Sequence, residues 1–205
     1  MDSIIFDLDG TLWDPISTVK DAWNETIQAH RPEEKELSRK DMESIMGLQT
    51  EGVVEKLFPH LDQDEGEKII HNCFEAEIGV IKKQGGELYE GVERTLQHLY
   101  NNYPLFIVSN CQDGYIEAFL QAHQLEKYFK DFENPGRTGL SKGENIQLVM
   151  KRNDLNSPIY VGDTSGDKEA AQNAGLPFYY ASYGFGEVDR AEQTIETFTD
   201  LQSLL

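Results

Sequence analysis

Residues Ile4-Ile5-Phe6-Asp7-Leu8-Asp9-Gly10-Thr11-Leu12 form a short apolar run that ends in two carboxylates one residue apart and then a Gly-Thr pair. The run is too short to be a helix of its own, so it is predicted to be a buried strand that delivers acids to its C-terminal edge. In open α/β sheets that edge is where ligands bind. If the backbone stays extended, Asp7 and Asp9 point to the same side and meet one ligand together. If it coils at Leu8, one side chain swings away and its carbonyl turns inwards.

The rest of the chain supplies the partners of that strand. From Leu88 onward apolar strand-like runs alternate with helical spacing, the pattern of parallel βαβ units. The strands are expected at Leu105–Val108, ending in Ser109-Asn110; at Phe129–Glu133; at Pro158–Val161, ending in Gly162-Asp163; and at Phe178–Tyr180, as an edge strand. Helices are expected over 91–102, 113–124, from Ser141-Lys142-Gly143 onward, and over 167–173. A loop at 134–139 carries Arg137, 183–186 reads as a loop at the sheet edge, and 195–205 as a docking helix.

Between the first strand and Leu88 the spacing is helical throughout. Ala22, Ile27 and nearby Trp23 fit one helix. Met42, Ile45 and Met46 follow Ser38 and stop at Gly47, 50–57 is a short third helix, and 62–83 is the longest. The expected fold is α/β: a Rossmann-like parallel sheet flanked by helices, with an inserted small all-helical unit. The core would comprise 1–14 and 87–205 and the insert 15–86, entered near Asp14-Pro15 and left near Gly85-Gly86. Two such joints side by side suit a lid.

A net charge of −19 and a pI near 4.5 argue against nucleic acid and against an anionic membrane surface as partners. No basic N-terminal region or long apolar stretch marks a signal peptide or membrane span, and a cytoplasmic location is expected. Cys73 and Cys111 lack metal or disulfide spacing and read as free thiols. Oligomeric state is not legible.

In a parallel sheet all C-terminal strand ends share one edge, so Asp7/Asp9, Ser109, Lys142, and Asp163 with Asp167 converge there although 160 residues separate the first from the last. In these residues the chain resembles the haloacid dehalogenase superfamily. Asp7-Leu8-Asp9-Gly10-Thr11 matches the first motif, Ser109 the second, Lys142 the third, and Gly162-Asp163 with Asp167 the fourth. The insert resembles the family's helical cap, and the closest likeness is to the phosphoglycolate-phosphatase-like branch.

The resemblance implies a Mg2+-dependent phosphatase acting on a small phosphorylated metabolite. Asp7 would be the nucleophile and form an aspartyl phosphate, and Asp9 the general acid and then base. The implied Mg2+ ligands are the Asp7 carboxylate, the Asp9 carbonyl and Asp163, with Asp167 ligating or supporting them. Ser109, Asn110 and Lys142 would hold the phosphate. The second aspartate separates this pattern from the family's dehalogenases, but a sugar-phosphate mutase would share it. A receiver-type signalling module fits poorly, because it carries its phosphorylated aspartate on a later strand. A catalytically silent binding protein is the remaining alternative. Trp13, Met46 and Leu48 are candidates to line the pocket as lid or hinge residues but are assigned to helix-face packing.

Residues 15–86 carry a net −6 and the remainder −13, so the part that must hold an anion is the more acidic. Attraction must therefore be local, from the metal and Lys142. Lys142→Ala is expected to bind phosphate esters far more weakly in a calorimetric titration. Unchanged affinity would remove Lys142 from the site.

Overall fold

The computed structural model describes residues 1–205. Six parallel strands form the central sheet: β1 (Ile4–Phe6), β4 (Leu105–Val108), β5 (Phe129–Glu133), β6 (Ile159–Gly162), β7 (Phe178–Ala181) and β8 (Gln193–Ile195). Their order is β5-β4-β1-β6-β7-β8. Counted along the sheet strands alone this is 3-2-1-4-5-6, the doubly wound arrangement with its switch point beside β1. The missing numbers belong to β2 (Trp13–Asp14) and β3 (Glu87–Leu88), a separate antiparallel pair.

The strands are short and apolar because both faces of the sheet are covered. Ile4, Phe6, Leu105, Ile107, Ile159 and Val161 belong to a core of 36 buried residues on one side. The residues between them, Ile5, Phe106, Val108 and Tyr160, belong to a second core of 10 on the other. This period of two is the pleat expressed as burial. The larger core is closed by α5 (Val92–Tyr100) and α6 (Tyr115–His123), the smaller by α8 (Lys142–Arg152) and α9 (Ser165–Ala174).

Between β2 and β3 the chain builds the helical cap: α1 (Ile16–His30), α2 (Arg39–Glu43), α3 (Thr50–Leu57) and α4 (Gln63–Gln84). Ser38 and Asp41 form a capping box that starts α2, and Asp62 accepts the Glu65 N–H to start α4. Trp23 and Ile27 of α1 pack with Ile70, Cys73 and Ile81 of α4 in the larger core, so the cap has no separate hydrophobic interior. No helix is long and apolar enough to cross a membrane.

Three local expectations are corrected. Phe178–Ala181 is not the edge strand, because β8 pairs outside it, Tyr179 opposite Gln193. The Gln193-Thr194-Ile195 sequence of β8 has no apolar alternation to reveal it. For the same reason 195–205 is not one helix: Ile195 ends β8, and a 3-10 turn at Phe198–Asp200 leads to the four-residue α10 (Leu201–Leu204). The loop at 134–139 contains the short α7 (Pro135–Thr138), capped by Asn134.

Phe119 of α6 is fully buried, its ring 4.9 Å from that of Trp13. Phe119→Ala is expected to lower unfolding free energy by about 3–5 kcal/mol, read from chemical denaturation. A change below about 1 kcal/mol would mean that the site collapses around the deletion.

Candidate active site

Asp7 directly follows β1, and its N–H donates to the Val161 carbonyl at 2.8 Å, which fixes it between β4 and β6. The chain then turns: the Leu8 carbonyl accepts the Thr11 and Leu12 N–H groups at 3.2 and 2.9 Å. Gly10 takes φ +81°, and a Cβ there would lie 2.2 Å from Asp163 Oδ2. Only glycine meets both demands.

Asp163 follows β6. Its Oδ2 accepts the Phe185 N–H at 2.7 Å, and its Oδ1 the Thr11 hydroxyl at 3.4 Å. Asp167 sits in the first turn of α9. Its Oδ2 accepts the Thr164 hydroxyl at 2.7 Å and the N–H groups of Thr164 and Asp163 at 2.9 and 3.2 Å, in a capping box. Its Oδ1 accepts from the Lys142 ammonium. Lys142 opens α8 behind a second capping box, Ser141 with Glu144, and its Nζ also lies 2.8 Å from Asp7 Oδ1. One carboxylate oxygen from each of Asp7, Asp163 and Asp167 lies within 4.8 Å of the others, all three side chains buried.

Burial, followed by repulsion from Asp167, pushes the Asp7 carboxyl up to about 6. The same two causes, with Asp7 added, raise Asp163 well above the usual carboxylate range. Burial alone depresses Lys142, but Asp167 and Asp7 hold it well above the ordinary lysine value. One ammonium cannot compensate three buried carboxylates. The cluster offers hard oxygen donors and excess negative charge, which suits a divalent cation such as magnesium or calcium.

Asp9 stands apart from these three. Its Oδ1 accepts both the Trp13 indole N–H at 2.7 Å and the Tyr115 hydroxyl at 2.9 Å. Burial and then Asp7 push it up to about 7, against the lowering effect of those two bonds. It faces a cavity of about 1230 Å³ between cap and core. The two motif acids therefore have different surroundings, and the coiled alternative for Leu8 holds.

Ser109 is buried at the end of β4, its N–H on the Glu133 carbonyl. Asn110 lines the cavity. Its Nδ2 donates to the Gly47 carbonyl of the cap at 2.9 Å, while its buried Oδ1 has no partner. Across the cavity, Glu77 of α4 is buried. Its Oε2 accepts the Trp23 indole N–H at 2.5 Å and its Oε1 the Gln112 amide. Burial pushes Glu77 up to about 8.

Several of these groups escaped sequence reasoning. Trp13 lies in β2, not on a helix face, and holds Asp9. Tyr115, Gln112 and Glu77 carry no motif and meet only through the fold. The 183–186 loop reaches into the site: Phe185 binds Asp163, the Tyr183 hydroxyl donates to the Thr11 carbonyl at 2.8 Å, and a Cβ on Gly184 would lie 2.3 Å from that of Asp163. Its two glycines were the available signal. Met46 and Leu48 do line the cavity. Arg137 is paired with Glu117, Asp113 and Glu133 instead of facing the site.

Residues 4–181 match the haloacid dehalogenase-like hydrolase family, and the chain belongs to it. A phosphoglycolate phosphatase from Vibrio parahaemolyticus is 24% identical, the match covering 89% of this chain and 84% of that one. Another from Rhodobacter capsulatus is 27% identical over 89% and 85%. A haloacid dehalogenase-like hydrolase from Streptococcus pneumoniae superposes with a TM-score of 0.87 over 100% and 98% of the two chains at 19% identity, so the fold is shared throughout.

The raised values of Asp7, Asp9 and Glu77 have a consequence for stability. A carboxyl with a higher value folded than unfolded contributes stability that is complete at low pH and is lost as pH rises through the folded value. The window set by values of about 6, 7 and 8 runs from about pH 4 to pH 8. Metal-free protein is expected to melt at a higher temperature at pH 5.5 than at pH 8, as read by calorimetry. At pH 7.5 a divalent cation should raise the melting temperature, and Asp163→Asn should remove that increment. An increment unchanged in the variant would show the cation bound elsewhere.

Proposed function

We propose that the chain is a Mg2+-dependent phosphatase that hydrolyses a small-molecule phosphate monoester through an aspartyl phosphate on Asp7. The observation that carries this is the division of labour at β1. Asp7 lies among buried oxygen donors beside an ammonium, while Asp9 is held separately, with a raised value, facing the cavity. The similarity to phosphoglycolate phosphatases supports the same reaction class.

Asp7 attacks phosphorus in line with the ester oxygen, and the bond to that oxygen breaks. Asp9 donates its proton to the departing alkoxide. Trp13 and Tyr115 both bind Oδ1, which leaves Oδ2 for that proton, and a value near 7 keeps the acid form populated at neutral pH. Asp9, now a carboxylate, takes a proton from water as the water attacks phosphorus, and inorganic phosphate leaves with Asp7 regenerated. Lys142, the Ser109 hydroxyl and an N–H of Asn110 grip the phosphate oxygens.

Asp7, the Asp9 carbonyl and Asp163 would hold Mg2+, whose charge when bound offsets the repulsion between Asp7 and a phosphate dianion. Asp167 supports the metal site and positions Lys142 and the loop after β6, which its two oxygens engage. Residues 15–86 form the cap unit that closes the cavity over the leaving group. A cytoplasmic setting fits the free Cys73 and Cys111.

A phosphate-ester panel with and without chelator tests the reading. With Mg2+, wild type should release phosphate, Asp7→Asn should fall to background, and Asp9→Asn should lose about 10²–10⁴-fold in kcat. Full turnover by Asp7→Asn would refute the nucleophile assignment. Transfer to a second position of a sugar phosphate, without release, would favour the mutase alternative.

A further inference from the structure

The cavity beyond Asp9 is where the alcohol half of the ester must lie, and its chemistry differs from what glycolate, the product implied by the relatives' name, would need. A carboxylate leaving group calls for an arginine, a lysine or a free helix N-terminus. Of the 30 residues lining this cavity, seven are acidic, two are the histidines His30 and His71, and one, Lys68, is a lysine. The uncapped N-termini of α3 and α6 border the cavity, each already carrying a glutamate in its first turn, Glu51 and Glu117. Lys68 is exposed and lies nine residues before Glu77 on α4, about 13 Å away along the axis. It also borders a second surface hollow with Arg31 and Glu65. Lys142 is held by Asp7 and Asp167 and is not among the residues that line the cavity.

Near Asp9 the wall is made instead of Glu77, Gln112, Asn110, Trp23 and Tyr115. Glu77 is 5% exposed, and its two bonds come from uncharged donors, Trp23 and Gln112. No lysine or arginine reaches it among the ion pairs. The nearby Asn110 Oδ1 is a buried acceptor with no partner. A buried carboxyl and an unpaired amide oxygen both ask for a donor.

Building on the phosphatase reading, we propose that Glu77 is a specificity-determining residue. It selects leaving groups that carry no negative charge and present a hydroxyl or ammonium donor, and it disfavours carboxylates. A polyol or amino alcohol offers donors to Glu77 and Asn110. A carboxylate there offers no donor to the Asn110 oxygen and leaves it unsatisfied. The upward shift of Glu77 has the same origin, burial with no cationic partner. At about 1230 Å³ the cavity also exceeds the roughly 300–1,000 Å³ usual for small-molecule sites, which leaves room for more than two carbons.

Matched esters on the Mg2+-loaded enzyme test this. Glycerol 3-phosphate and 3-phosphoglycerate differ by a hydroxymethyl against a carboxylate, and phosphoethanolamine and 2-phosphoglycolate by an ammonium against a carboxylate. The non-anionic member of each pair should have a kcat/KM at least about tenfold higher. Glu77→Gln should shrink that ratio about fivefold, whereas a structural defect alone would lower both members together. Calorimetric binding of the same esters to Asp7→Asn reads the preference without turnover, and it decides the matter if Glu77→Gln does not fold. Tighter binding and faster hydrolysis of the carboxylates, or an unchanged ratio in folded Glu77→Gln, would overturn the inference while leaving the phosphatase intact. Failure to hydrolyse any ester, including p-nitrophenyl phosphate, would refute the phosphatase reading itself, and the binding order would still report on the cavity.

Discussion

The arrangement of this protein turns on the burial of three carboxylates, Asp7, Asp163 and Asp167, around a single ammonium from Lys142. Such a cluster is costly unless its geometry is enforced from outside. Each member follows a strand or opens a helix, where the backbone is already fixed. Two capping boxes set the starts of α8 and α9, and with them the positions of Lys142 and Asp167. Gly10 and Gly184 leave room where any Cβ would strike Asp163. Much of the chain's glycine and capping chemistry thus serves one point on the sheet edge. The charge left over there is what makes a divalent cation the natural fifth component.

The link between this cluster and the cap runs through Asp9. Trp13, which binds its carboxylate, is a residue of the hairpin by which the chain enters and leaves the cap. The same indole packs on Tyr115, Phe119 and His123 of α6. Gln112 and Asn110, just beyond β4, reach across to Glu77 and Gly47 of the cap. The acid, the joint and the two closing contacts therefore form one connected set. Motion of the cap on the core would act on the environment of Asp9 directly, not through a distant relay. The large core shared by cap and sheet favours the packing of one on the other.

The motif residues were legible because they sit at strand ends, and a parallel sheet brings strand ends together whatever the loop lengths. The cap helices were legible from spacing, with 50–57 and the start near Asp62 agreeing with α3 and α4. Elements that owe their existence to tertiary pairing were not. β8 is three residues with two exposed side chains, and β2 and β3 are two residues each, so none has a periodicity to read. Tyr115, Gln112 and Glu77 were invisible as site residues for a related reason. On their own helix or loop they are ordinary polar or aromatic positions, and only the packing of α4 against α6 and the loop after β4 makes them neighbours.

The sequence by itself determined the class of fold, the family and the sheet edge at which the acids gather, because hydrophobic period, strand-terminal acids and their order are local properties that survive without coordinates. It also held Asp7-Leu8-Asp9 in two possible conformations. Tertiary structure chose between them, since the Val161 carbonyl and Asp163 side chain at the end of β6, Trp13 of β2 and Tyr115 of α6 come from three separate parts of the chain. The charge character of the cavity was likewise decided only in three dimensions. Which acids face inward, and that no buried cation meets them, depends on how helices from two units are brought to share one wall.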